Sequence, residues 1–138
     1  MVKVINLLML MFVAALATEA SAQNNDKKME ENKIEAKVLY DAFKNDAAEP
    51  YKKRMKISGI ATYVGPDVYA LPSVELSETE TATGRVLCVL PFGDYLKLRK
   101  VSKKDHVVME GNVLGFADKY DIVVVKQCEI LEVNGKKE

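Results

Sequence analysis

A mainly β fold, a five-stranded barrel preceded by one amphipathic helix, is what this chain of 138 residues predicts. Three observations carry that expectation. A single stretch, about Ile34 to Ala48, spaces its apolar residues as a helix does, and no second helix of comparable strength follows. After Pro50 the apolar residues recur with period two, in runs parted by short turn-forming clusters. Two of those runs carry a central glycine, Gly59 and Gly111, where a strand is expected to bend. The length suits one compact domain built on one hydrophobic core.

The elements follow in order. Lys3 precedes an apolar run from Val4 to Ala17, broken only by Asn6, and Ala20-Ser21-Ala22 supplies an Ala-x-Ala cleavage site. A positive segment, an apolar segment and small residues in that order predict a signal peptide over 1–22, cut after Ala22. The run falls short of the roughly 20 residues that span a bilayer, so no stable membrane insertion is expected after cleavage. No cysteine stands near the cut to accept a lipid. Residues 23–33 are rich in Asn, Asp, Glu and Lys and predict a flexible leader. In the helix, Ile34, Val38, Leu39, Ala42 and Phe43 form an apolar stripe that must lie on an end or an open side of a sheet.

The first strand, Met55 to Val64, places Met55 and Ile57 inward before Gly59, and Ile60 and Val64 inward after it, so the parity shifts at the glycine. Gly65-Pro66-Asp67 is a turn. The second strand, about Val68 to Leu76, contains Pro72 as an edge or a break, and a polar connection runs from Ser77 to Thr83. The third, Arg85 to Leu90, is apolar on both faces. Tyr95 to Lys104 suits a helical turn or a loop lying on the barrel. The fourth strand runs from about His106 to Phe116, Ala117-Asp118-Lys119 is a hairpin turn, and Tyr120 to Leu131 is a long fifth strand. The domain is thus expected over 34–132, with 133–138 a solvated tail.

One helix and five strands, with the first and fourth bent at glycine and the longest connection between the third and fourth, is the layout of the OB fold. The segments Leu39-Tyr40-Asp41-Ala42-Phe43, Ile57-Ser58-Gly59, Val86-Leu87-Cys88-Val89, His106-Val107-Val108-Met109-Glu110-Gly111-Asn112-Val113 and Val125-Lys126-Gln127-Cys128-Glu129-Ile130 resemble the tRNA-anti-like family of bacterial secreted OB-fold proteins. The resemblance covers about Ile34 to Leu131 and implies a periplasmic or secreted bacterial protein; it implies no particular activity. Lys103-Lys104-Asp105 occupies the turn where the family carries a glycine. The resemblance also makes the third and fifth strands neighbours, which brings Cys88 and Cys128 within reach of each other. A disulfide closing a loop of that length, about 40 residues, contributes roughly 4 kcal/mol on the chain-entropy model; the alternative is two buried thiols packed as small hydrophobes.

Catalytic parts are missing from the sequence, so an enzyme is not expected. His106 is the only histidine and reads as a strand-edge surface residue. The cysteines lack CxxC spacing, which leaves no zinc pattern, and no cofactor is implied. Neither Ser58 nor Ser73 lies in a G-x-S-x-G turn. Glu75, Glu78 and Glu80 alternate along a hairpin and read as a solvated face, with a hydrolase the remote alternative.

On the OB template the ligand face draws on strands two and three and the flanking loops. The residues there are Tyr63, Tyr69, Arg85, Lys119 and Tyr120, which either receive a ligand or serve as ordinary barrel packing with an exposed rim. The formal net charge is +0, and Glu78 and Glu80 are expected to border this face. A binder of nucleic-acid phosphates normally carries a basic excess. The expected function is therefore an exported binding or adaptor module for a protein, peptide or glycan, with single-stranded nucleic acid as the alternative.

Overall fold

The computed structural model describes residues 32–82 and 85–138. The expected signal peptide, 1–22, and all but the end of the leader lie outside the described residues. From Asn32 onward the elements are β1 (Lys33–Glu35), α1 (Ala36–Lys44), a 3-10 turn (Glu49–Tyr51), β2 (Arg54–Pro66), β3 (Pro72–Ser77), β4 (Arg85–Val89), a 3-10 segment (Phe92–Lys100), β5 (His106–Ala117), β6 (Ile122–Val133) and β7 (Lys136–Lys137).

Five strands close into a barrel in the order β2-β3-β4-β6-β5, with β5 returning to β2. The neighbours are antiparallel except β4 and β6, which run parallel. Closure depends on the length of β2. Its first half, Arg54 to Ile60, pairs with β5, and its second half, Ile60 to Pro66, pairs with β3. The edge that the first half leaves open is taken by β1 in parallel, Ile34 beside Ile57. The fold is therefore the expected mainly β, OB-type barrel with one α-helix.

Alternation along the strands fills the interior with Met55, Ile57, Val74, Leu76, Val86, Val107, Met109, Val123 and Val125, all completely buried. Leu39 of α1 joins them. Because α1 touches β2, β3, β4 and β6, it covers an end of the barrel. The helix is shorter than the expected 34–48: Ile34 is spent on pairing with β2, and Asp46 adopts a left-handed backbone (φ 54°) just past the C-cap Asn45. Its buried stripe is Ala36, Leu39 and Ala42, while Val38 stays exposed on the far side.

Gly59 acts differently from expectation, whereas Gly111 does sit at a register shift, between Glu110 and Asn112. Inward alternation passes straight through Gly59, from Met55 and Ile57 to Ala61, and Ile60 is only half-buried. The register shift falls later, between Ala61 and Tyr63, where Thr62 Oγ1 donates to the Glu75 carbonyl at 3.3 Å. Gly59 is needed for close approach: a Cβ there would stand 3.0 Å from the Ser77 carbonyl oxygen and 3.2 Å from Ala36 Cβ. Gly111 is tighter still. A Cβ there would run into Cys128 Sγ and lie 2.8 Å from the Lys126 carbonyl oxygen.

The start of the second strand also differs. Residues 68–71, expected to begin it, form a loop tied by Asp67. Its Oδ1 accepts the backbone N–H of Tyr69 at 2.8 Å and of Leu71 at 2.9 Å, with Ala70 left-handed (φ 62°). Pro72, lacking an N–H, opens β3 instead of interrupting it. The tail, exposed from Asn134 onward, still makes contacts: β7 folds back on Glu132 and Val133, and Glu138 reaches Lys100 at 3.0 Å. At the glycine-less turn before β5, Lys104 itself takes the left-handed conformation (φ 80°), and its N–H donates to the Ala61 carbonyl at 2.8 Å.

Candidate ligand groove

The outward residues of β3, β4 and β6 form the floor of an open groove of about 600 Å³. Ser73 and Glu75 come from β3, Arg85 and Leu87 from β4, and Ile122, Val124 and Lys126 from β6. The β2–β3 loop rims it with Val68 and Tyr69, Tyr63 of β2 standing beside them, and the β5–β6 turn rims it with Tyr120. The third strand is thus not equally covered on its two sides: Val86 and Cys88 point into the core, while Leu87 is half-exposed in the groove.

Four of the five residues expected from sequence, Tyr63, Tyr69, Arg85 and Tyr120, line this groove together. Lys119 does not line it, but its ammonium lies 5.5 Å from the centre of the Tyr120 ring. Tyr69 contributes from a loop rather than from a strand, which leaves its ring 78 % exposed. Lys126, missed in the sequence, reaches to 6.0 Å from the Tyr69 ring centre. Its outward position was signalled by alternation with Val125 in the fifth strand.

Charge on the floor is matched for Arg85 and Glu75, while Lys126 adds a further cation. Arg85 and Glu75 pair at 3.3 Å, the carboxylate side chain only 14 % exposed. Thr62 Oγ1 also meets Glu75, at 3.4 Å. Glu75 therefore differs from the solvated carboxylate expected, because its neighbours on β2 and β4 enclose it. Glu78 and Glu80 do not line the groove; Glu80 turns toward Lys104, 3.8 Å away. Among the described residues the acidic border expected there is therefore not found at the groove.

Both rims are anchored. Asp121, at the end of the β5–β6 turn, accepts the Tyr40 hydroxyl at 2.8 Å and Lys44 Nζ at 3.1 Å. The Tyr40 hydrogen bond, then the one from Lys44, holds the Asp121 carboxyl below the usual carboxylate range. Beneath it, Phe116 packs on Tyr40 and Phe43 with ring centres 6.0 and 6.4 Å apart. On the other side, the Tyr95 hydroxyl of the 3-10 segment donates to the Ala70 carbonyl. Tyr63 donates to the Pro66 carbonyl at 2.6 Å.

The remaining sequence candidates lie elsewhere. His106 opens β5 as an exposed residue, its backbone N–H donating to Asn134 Oδ1 at 2.8 Å. Cys88 and Cys128 are both buried in the barrel interior. Among the described residues no three His, Cys, Asp or Glu side chains stand close enough to share a metal ion. Apolar floor and ring-lined rims together suit a ligand with flat or apolar faces.

The tRNA_anti-like family model matches residues 1–129. Among solved structures, the chain is similar to a "putative nucleic acid-binding lipoprotein" from Klebsiella pneumoniae subsp. pneumoniae. The two are 12% identical with a TM-score of 0.53, over 72% of this chain and 92% of that one, which is a likeness of fold. No curated protein matches the chain.

Proposed function

The chain belongs to the tRNA_anti-like family, and from that premise we propose that it is an exported, non-catalytic binding module whose groove receives a protein, peptide or glycan partner. The observation that carries the reading is the convergence of Tyr63, Tyr69 and Tyr120 around an apolar floor that, among the described residues, no further layer covers. Tyrosine offers a large, stiff ring with a polar tip, so it buries against sugar faces or peptide side chains at low entropic cost. A concave, mainly apolar site with few placed polar groups is the usual form of a binding site. Export rests on the signal-like sequence at 1–22 and accords with the lipoprotein named above. Among the described residues no helix is long and apolar enough to cross a membrane.

A photo-crosslinking residue at Leu87 tests the reading, with Val38 on the exposed face of α1 as the control position. In cells carrying the chain with its own first 22 residues, the expected result is a discrete adduct from Leu87 that Val38 does not give. Identical patterns from the two positions would count against the groove.

Single-stranded nucleic acid is a second reading, favoured by Lys126 over Tyr69 and Lys119 over Tyr120, since stacking rings beside cations is how such strands are held. The neutral chain and the Arg85–Glu75 pair weigh against it. A labelled oligonucleotide is expected to bind weakly. Tight binding that falls steeply with salt would replace the first reading by the second.

A further inference from the structure

We propose that Cys88 and Cys128 are joined by a disulfide in the exported protein, formed while the chain folds. The proposal rests on the export part of the reading above and is independent of what the groove binds.

The fold brings these two side chains together by a specific device. β4 and β6 pair in parallel with Cys88 beside Val125. Strict alternation from Val125 would turn Cys128 outward, away from Cys88. It is turned inward by a bulge: Glu110 faces Glu129 and Asn112 faces Lys126, so Gly111 alone opposes both Gln127 and Cys128. Lys126 and Gln127 consequently both stay outside while Val125 and Cys128 are both buried. Bulges characteristically re-aim a side chain in this way.

The device carries two conformational costs. Gln127 sits in the left-handed region (φ 55°), which disfavours a side-chain-bearing residue. Position 111 has to be glycine, because a Cβ would occupy the space of Cys128 Sγ. Both costs serve to seat one sulfur. Cys128 Sγ lies 3.5 Å from the carbonyl oxygen of Val125, the residue paired with Cys88, and the two thiols are 1 % and 0 % exposed.

Burial determines when the bond forms. Its hydrogen bond with Cys128, with burial behind it, holds the Cys88 thiol well above the usual thiol range, and both side chains are sealed from any external disulfide in the folded protein. Exchange therefore belongs to the open chain. One cysteine thiolate attacks a sulfur of an external disulfide and releases one thiol. The second cysteine thiolate then attacks the mixed disulfide, the intramolecular S–S bond forms and the second thiol leaves. The two cysteines lose two protons and two electrons, and the donor disulfide is reduced to two thiols. An oxidising envelope supplies such donors.

The full chain, expressed with its first 22 residues in a bacterium, is alkylated under denaturing conditions without reductant and weighed intact. The expected spectrum shows a processed chain carrying no alkyl groups, and two after reduction. Two alkyl groups on processed, unreduced protein would overturn the proposal. An unprocessed chain would instead remove the export reading, and a second measurement then decides the bond alone. In that arm the denatured chain is refolded in mixed oxidised and reduced glutathione. The expected product is a monomer 2 Da lighter than the dithiol form, with Tm raised by about 10 °C. Glutathione adducts or free thiols on the folded product would overturn the proposal.

Discussion

Along β4, Val86 and Cys88 turn inward and are sealed, whereas Arg85 and Leu87 turn outward and remain half open. The same division runs along β3 and β6, with Val74, Leu76, Val123 and Val125 on the sealed side and Glu75, Val124 and Lys126 on the open one. A sheet rolled into a barrel covers one of its faces by closing on itself. The other face depends on helices or loops, and here α1 is spent on an end of the barrel. Among the described residues the apolar side chains of that outer face stay open, as the docking proposed above requires. The two faces therefore answer to different demands: shape fit inside, and accessible rings outside.

Five substitutions sharpen that contrast. The largest effect is expected inside, for Gly111→Ala, where the new methyl meets Cys128 Sγ and the Lys126 carbonyl. Denaturant unfolding should show a loss of about 3 kcal/mol or more. Gly59→Ala, with its nearest contact at 3.0 Å, should cost less, about 1–2 kcal/mol by the same measurement. A larger loss at 59 than at 111 would mean that the bulge opposite Gly111 yields easily.

Outside, Leu87→Asp should abolish the discrete crosslink when the probe is moved to Val124, while unfolding free energy changes by less than about 1 kcal/mol. A collapse in stability instead would place Leu87 in the core. Tyr69→Ala should weaken binding of the captured partner about 10-fold by titration and leave Tm nearly unchanged, since its ring is largely exposed.

The smallest effect belongs to the rim anchor. The Asp121 carboxyl has a folded pKa below its unfolded value, so its contribution is complete above the unfolded value, about 4, and is lost as pH falls through the lower folded value. The Tm difference between the native chain and Asp121→Asn should thus be widest at neutral pH and shrink below about pH 4. The raised Tyr40 hydroxyl acts in the opposite direction. Its contribution is complete below about pH 10 and fades as pH rises through the folded value. A Tm difference independent of pH would show that Asp121 acts through backbone geometry alone.

Much of this was legible because period two survives in the strands: Met55, Ile57, Val86, Cys88, Val107 and Met109 all went where alternation puts them. The β2–β3 loop was misread because Val68, Tyr69 and Leu71 imitate a strand, while what bends the chain is the Asp67 carboxylate gripping two N–H groups. The bulge at Gln127 escaped because glutamine is no marker of left-handed backbone; only the consecutive polar pair Lys126-Gln127 hinted at it. In the groove, Tyr63, Tyr69, Arg85 and Tyr120 were found through the fold's template. The placement of Glu78 and Glu80 was not legible, since it depends on contacts distant in sequence, such as that of Glu80 with Lys104.

The parallel seam between β4 and β6 has a consequence for how the molecule is assembled. Residues 85–88 meet residues 122–125, and β5 likewise waits for β6 along its whole length. A nascent chain ending before Ile122 therefore holds two unpaired edges and cannot become a cylinder, however stable its hairpins are. Such a polypeptide remains threadable until its final stretch has been synthesised, and then locks in a single late step.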